Sequence, residues 1–320
     1  MATIVSLQRC SSYEPTVLRA ALARLLEPLG GIGAFVKPGR RVLLKPNLIV
    51  PRPSEAAVTT HPEIVRAMAL IVREAGGRPF VGDSPASGSA AQVARAAGIA
   101  AVARELGLEI ADLAKRPRTC AGGPGSPHKW IRCGAEALEA DVVINLPKLK
   151  THGQMGMSLA VKNLFGVVAG KRKALFHFWS GNDAVRFGRL LVAIARLVKP
   201  ALSILDGVVA LEGGGPTSGD PRPLGMLAAS ADPVALDRVV LELLGIAPER
   251  IPHMQAAQEL GYGEQDLGKI EIVGESLDSM RVKDYVAIGE LRPISFTLPH
   301  VLRSVVKQVM MLLGARKKAK

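Results

Sequence analysis

Cysteine is scarce in this 320-residue chain: Cys10, Cys120 and Cys133 are far apart and no CxxC pair occurs. That excludes a disulfide framework and any complete four-cysteine zinc or iron–sulfur site within one chain. The three thiols are read as reduced and structural. Aromatic residues make up only 4% of the sequence, which leaves little for stacking bases. Three motifs that would settle a chemistry are also missing. No GxxxxGK[ST] phosphate loop, no HExxH metal pair and no GxSxG nucleophile elbow is present. The six histidines (His61, His128, His152, His177, His253, His300) show no i,i+4 pairing, so a zinc hydrolase finds no support. The first residues carry no basic stretch followed by an apolar one, which predicts a cytoplasmic location.

What is present is a folding composition, with 48% apolar and 22% charged residues, long enough for one large core or two ordinary ones. The net charge of +13 comes from two acid-free segments. Residues 142–182 hold six basic side chains and residues beyond Glu290 hold seven, while the remainder sums to zero. A near-neutral body with two basic segments differs from a uniformly basic nucleic-acid-coating surface, and nucleic acid is not the expected partner.

Apolar runs of strand length alternate with helical patterns, which predicts an α/β protein. Its expected form is a mostly parallel open sheet with helices on both faces. Strands are expected at Thr3–Arg9, Arg41–Lys45, Arg78–Val81, Asp141–Leu146, Ala201–Leu205 and Lys269–Val273. Helices are expected over Glu14–Leu26, from Thr60 onward, over Ser89–Leu106, over Asp183–Leu197 and from Asp232 onward. Thr60-His61-Pro62-Glu63 reads as a capping box with Thr60 as the cap. Asp232 is read as a helix cap only, with Asp237 on another side of that helix. Residues 112–135 are expected to leave the sheet, and residues 206–225 read as a long Gly/Pro loop. Residues 1–290 are read as one α/β domain, followed by a tail over 291–320. From Leu298 to Leu313 the apolar residues fall at helical spacing, with Arg316, Lys317, Lys318 and Lys320 at the end. That tail either packs its apolar face on the protein's own body or a dimer partner, or contacts the inner face of a membrane or an acidic redox partner protein.

Four expected strands run into polar residues at their carboxyl ends, where open α/β sheets bind ligands. They place Lys45, Asn47, Asp83, Ser84, Lys148, Lys150, His152 and Asp206 on one rim, with Lys162 and Asn163 ten residues further on. Lysine ammonium groups beside the Gly-rich backbone of residues 151–156 favour a phosphate or carboxylate. Lys45, Asn47, Ser84, Lys148, Lys150, Lys162 and Asn163 are the candidate anion-binding residues. Asp83, His152 and Asp206 are the candidate catalytic ones. Asp206, Glu212 and Asp220 in a flexible frame read as a lid or a cation site, with Glu212 and Asp220 as candidate metal ligands.

Taken together, seven motifs resemble one family. They are Lys45-Pro46-Asn47-Leu48, Thr60-His61-Pro62-Glu63, Gly82-Asp83-Ser84-Pro85, residues 145–152 (Asn145-Leu146-Pro147-Lys148-Leu149-Lys150-Thr151-His152), residues 161–166, Leu205-Asp206-Gly207 and Asp232-Pro233-Val234-Ala235-Leu236-Asp237. In this order they resemble the bacterial and archaeal domain-of-unknown-function family number 362, over roughly residues 40–245. Many members of that family carry ferredoxin-type modules with two four-iron clusters, so the resemblance implies redox chemistry. This chain has no CxxCxxC run, and a basic tail stands where such a module would follow. No iron–sulfur cluster is expected in it. Two readings follow. One is an enzyme acting on a small phosphorylated or carboxylated molecule, with the redox link that the resemblance implies. The other is a non-catalytic accessory or electron-transfer partner without its own cluster module.

Overall fold

The structure is a computed structural model, described over residues 2–170, 172–180 and 183–291. Its strands are β1 (Thr3–Arg9), β2 (Arg41–Pro46), β3 (Arg78–Asp83), β4 (Ile110–Asp112), β5 (Pro117–Ala121), β6 (Trp130–Gly134), β7 (Val142–Leu146), β8 (Lys148–His152), β9 (Gly156–Ser158), β10 (Leu202–Glu212), β11 (Asp220–Ser230) and β12 (Ile270–Gly274). Ten of them form one open sheet in the order β12-β1-β11-β10-β7-β2-β3-β4, with β8 paired to β10 and β9 to β8. β10, β7, β2, β3 and β4 run parallel to one another. β11 runs antiparallel to both β1 and β10, so the sheet is mixed.

Alternation of side chains along each strand sends neighbouring residues to opposite faces. Val42 and Leu44 of β2 join one core with the helices Pro15–Leu26 and Pro62–Glu74. Leu43 joins the other with the helices Ala184–Val198 and Pro233–Leu243. Helices therefore cover both faces.

Several local expectations are corrected. The cap of Pro62–Glu74 is His61, whose Nδ1 accepts from Glu63 N at 3.3 Å. Thr60 instead accepts from Asn47 N at 2.8 Å and donates to Leu146 O at 2.7 Å, which pins the end of β2 to the end of β7. Glu63 faces Arg66 rather than the cap. The expected helix over Ser89–Leu106 is two helices, Ala90–Ala96 and Ile99–Glu105. Gly98, at φ +81°, turns the chain between them in a conformation other residues resist. Residues 117–134 do leave the sheet, as the β5–β6 hairpin.

The expected loop over 206–225 is mostly the two long arms of a hairpin, β10 and β11, each of eleven residues. The apolar run Val208-Val209-Ala210-Leu211 suits a strand, and the intervening glycines and prolines fall at the tip and along β11. The pairing register shifts between Gly207 and Val209, a bulge within the site described below. Residues 148–152, expected as a polar strand-end loop, form β8. The expected tail helix lies outside the described residues. Among those residues no helix is long and apolar enough to cross a membrane.

Candidate functional site

Because β8 is a strand, Lys148, Lys150 and His152 share one of its faces. That face turns toward the ends of β2, β3 and β10, and its Lys148 and Lys150 are completely enclosed. Lys45, Lys148 and Lys150 are among the largest fully buried side chains of the protein. A buried ammonium is tolerated only when paired or richly hydrogen-bonded.

Two of the three are paired. At the end of β2, Lys45 Nζ lies 3.2 Å from Asp83 Oδ2 and donates to Pro46 O at 2.9 Å. Asp83 also accepts from Leu48 N at 2.8 Å and from Ser84 N at 2.7 Å. Gly166 packs directly on this pair, where a Cβ would overlap both Asp83 and Lys45. At the second pair, Lys148 Nζ lies 2.9 Å from Asp206 Oδ2, which also accepts from His61 N at 2.9 Å. Tyr13 OH donates to Asp206 Oδ1 at 2.7 Å while accepting from Lys148 Nζ at 2.9 Å and from Val209 N at 3.1 Å. The bulge in β10 frees that Val209 amide. The Tyr13 ring stacks on His61 at 3.6 Å between centroids. Burial lowers Lys45 and Lys148 below the usual lysine range, and Asp83 and Asp206 respectively oppose that shift.

Lys150 sits between the pairs without a carboxylate. It donates to Asn47 Oδ1 at 2.7 Å and to Val58 O. Asn47 Nδ2 donates to Asn163 Oδ1 at 2.9 Å, and Asn163 Nδ2 donates to Asn145 Oδ1 at 2.8 Å. Asn145 Nδ2 reaches Ser203 Oγ at 3.2 Å, so a chain of amides crosses from β2 to β10. Burial first, then Lys162 and Lys148, hold Lys150 well below its ordinary range.

Above this floor lies a less enclosed layer. Lys162 is partly exposed and lies over the rings of Phe165 at 5.7 Å and Phe187 at 6.0 Å. Burial, with Lys45 adding, lowers it to about 8. Lys173, on the helix Arg172–Ser180, donates to Ser84 O and lies 5.5 Å from the Phe165 ring. Burial brings it to about 7, with Asp83 opposing. Two histidines complete the layer. His152 Nδ1 receives Gln154 N at 3.2 Å and Met155 N at 3.3 Å, which leaves its proton on Nε2 when neutral. His177 Nδ1 lies 2.7 Å from Gln154 Oε1, so Nδ1 carries the proton there. Burial and neighbouring lysines push His152 far down and His177 to about 3, so both are neutral at pH 7.

The structure thus gathers Lys45, Asn47, Asp83, Ser84, Lys148, Lys150, Asn163 and Asp206 at one end of the sheet, with Lys162 and His152 beside them but outside their hydrogen bonds. It corrects two parts of the expectation. The rim is covered rather than open, because the β8–β9 hairpin, residues 160–170 and the helix Arg172–Ser180 lie over the strand ends. The backbone of 151–156 is a buried turn whose amides are engaged internally, with Gly153 N on Gly215 O at 3.2 Å. Glu212 and Asp220 stand outside the hydrogen-bond network, although Leu211, next to Glu212, pairs with Lys150 across the bulge of β10. They face each other across the outer end of the hairpin, Asp220 exposed and Glu212 accepting from Val286 N at 3.1 Å. Among the described residues no group of three or more His, Cys, Asp or Glu is placed to hold a metal.

Sequence reasoning missed Tyr13, His61, Lys173, His177, Asp237 and His253. Asp237 is fully buried, accepting from Ala160 N at 2.7 Å and Val161 N at 3.1 Å, with His253 Nε2 at 3.2 Å. It thereby fixes the turn that carries Lys162 and Asn163. The apolar residues around it gave it no signal as a partner, whereas Lys173 was visible as the third member of a basic run.

Comparison with known proteins adds a relative and two partial structural likenesses. The chain is 47% identical over 307 residues to the thylakoid-associated protein sll1697 of Synechocystis sp., covering 96% of this chain and 94% of that one. The lactate racemase apoprotein of Thermoanaerobacterium thermosaccharolyticum aligns with a TM-score of 0.48 at 12% identity, over 73% of this chain. A protein of Thermotoga maritima aligns with a TM-score of 0.39 at 15% identity, over 68% of this chain. The chain spans about half the length of each of these two structures, 55% and 54%. The profile of the domain of unknown function DUF362 matches residues 42–242, the span that holds nearly all of the lysine network. The chain belongs to the DUF362 family.

Proposed function

We propose that the protein is an enzyme that binds a small phosphorylated or carboxylated molecule at the layer formed by Lys162, Lys173, His152 and His177. The observation that carries this reading is a charge imbalance. Lys150, Lys162 and Lys173 have no carboxylate within ion-pair distance among the described residues, while two lysines beside them are fully paired. A desolvated lysine without a counter-ion is costly, and a bound anion removes that cost. Phe165 and Phe187 supply an apolar wall, and the two neutral histidines are suited to taking up and returning a proton. The paired lysines form the floor. In this reading Asp83 and Asp206 hold lysines rather than transfer protons.

Thermal unfolding tests the binding step. At a hundred times its Kd, an anion that binds only the folded chain stabilises it by about 2.7 kcal/mol. Phosphate, sulfate and a small carboxylate such as pyruvate should each be titrated. At least one should raise the Tm of the wild type by several degrees, and the rise should largely vanish in the Lys162→Gln, Lys173→Gln double variant. An equal rise in both proteins would overturn the reading.

A second reading concerns location. The 47% identical relative is described as thylakoid-associated, and this chain ends in the basic, amphipathic stretch 298–320. Both support peripheral attachment to a membrane surface. A full-length variant with the tail's Arg and Lys residues changed to Gln should then lose part of its binding to anionic vesicles.

A further inference from the structure

The chain has two tryptophans, and both are exposed: Trp130 by 57% and Trp179 by 47%. Leu175, one turn before Trp179 on the same helix, is exposed by 43%. His128 joins them into one surface. Its ring lies 5.5 Å from Trp179 and 4.7 Å from the buried Phe176, and it stands two residues before Trp130, about 7 Å of chain at most. The β5–β6 hairpin is tied down beside this patch by Arg196, which donates to Pro124 O at 3.2 Å. Large apolar side chains clustered on a surface mark a contact that the isolated chain does not supply.

The patch is bordered by positive charge. Residues 113–135 contain five basic side chains and no acid, and of these Arg116 and Arg118 pair with Glu136 and Glu139. Lys129 reaches over the Trp130 ring at 5.8 Å, and Arg186 is close enough to help lower His128. Neither Lys129 nor Arg186 forms an ion pair among the described residues. Asp183, on the same helix as Arg186, uses its carboxylate to cap that helix at Arg186 N. Tryptophan with leucine and unpaired basic residues is the chemistry of the bilayer interface, where the rings sit at headgroup level and the cations meet lipid charge.

We propose that this patch is a membrane-docking surface: Trp130, Leu175 and Trp179 enter the headgroup boundary of an anionic bilayer while Lys129 and Arg186 face its charge. The proposal rests on the reading that the protein attaches to membranes, but assigns a contact to the folded body beside the lysine site as well as to the tail.

The two tryptophans make the test direct, since all indole fluorescence of the chain comes from the patch. Full-length protein is mixed with vesicles of phosphatidylglycerol and phosphatidylcholine, or of phosphatidylcholine alone, some carrying brominated acyl chains. Binding is read by co-sedimentation. The expected result is binding to the anionic vesicles with a blue shift and bromine quenching of the emission. The Trp130→Ser, Trp179→Ser variant should bind roughly tenfold or more weakly, because burying one large apolar side chain alone contributes about that factor. Its melting should be unchanged, as both rings are exposed. A full-length variant with a neutralised tail should still show quenching. Binding without quenching, or equal binding by the tryptophan variant, would overturn the proposal and leave attachment by the tail. Failure of the wild type to bind either vesicle would overturn both, and would make the patch a surface for a protein.

Discussion

Replacing Asp206 by Asn isolates what the second ion pair contributes. The change keeps the shape and removes the charge. Asp206 accepts from Tyr13 OH, Lys148 Nζ and His61 N, all within 2.9 Å. An amide still serves part of this set, but Lys148 is left fully buried without a counter-ion. Removing one member of a buried pair costs about 3–5 kcal/mol. The sign of the pH dependence follows from Lys148. Burial already lowers its proton affinity and Asp206 holds it up. Without Asp206 nothing opposes the effect of burial, so the folded chain releases that proton at lower pH than the unfolded chain, which keeps it up to pH ~10.4. The unfolded state then binds one more proton than the folded state, so the variant gains stability as pH rises. Relative to wild type the gain is up to about 1.4 kcal/mol per pH unit. Urea unfolding of both proteins at pH 7 and pH 9, followed by circular dichroism, reads this directly. The gap should be several kcal/mol at pH 7 and clearly smaller at pH 9. A gap below about 1 kcal/mol, or one unchanged by pH, would refute the picture of a dehydrated pair.

Other outcomes follow from the same geometry. Gly166→Ala should cost about 3 kcal/mol or more in urea unfolding, because the new Cβ lies where Asp83 and Lys45 meet. Asp237→Asn removes a buried carboxylate that receives Ala160 N and Val161 N. It should lower the Tm and weaken the anion-induced rise, with the Asp237→Glu variant retaining little of either. Acid should destabilise the wild type early. His61 is lowered to about 4 and His177 to about 3, mainly by burial, so the folded chain resists protons that the unfolded chain takes up below pH ~6.5. Their contribution is intact above pH ~6.5 and is lost as pH falls toward 4, and the Tm measured from pH 7.5 to 5 should drop less steeply in His61→Gln.

The sequence by itself determined the sheet's strands and the register of polar residues at their ends. β1 was legible to the residue because Thr3–Arg9 is a bounded run of strand formers, and Asp232 announced its helix as the cap. Lys45, Asp83, Lys148 and Asp206 were legible as a group because parallel strands bring their carboxyl ends to one side. What the sequence did not determine is which charges would be buried. Lys148 and Lys150 read as loop residues because strand patterns are recognised by apolar alternation, and β8 replaces apolar side chains with lysines whose partners come from β2, β10 and Tyr13. The same limit hid the length of β10 and β11, since their glycines and prolines suggest a loop until the cross-strand pairing is known. Asp237 read as an unremarkable helix residue because its ligands, two backbone amides and a histidine, lie far away in sequence. The basic segment 142–182 shows the principle most clearly. Its charge is visible in the sequence, but only the tertiary structure decides that Lys148, Lys150 and Lys173 are buried, because burial and pairing depend on residues brought from other elements.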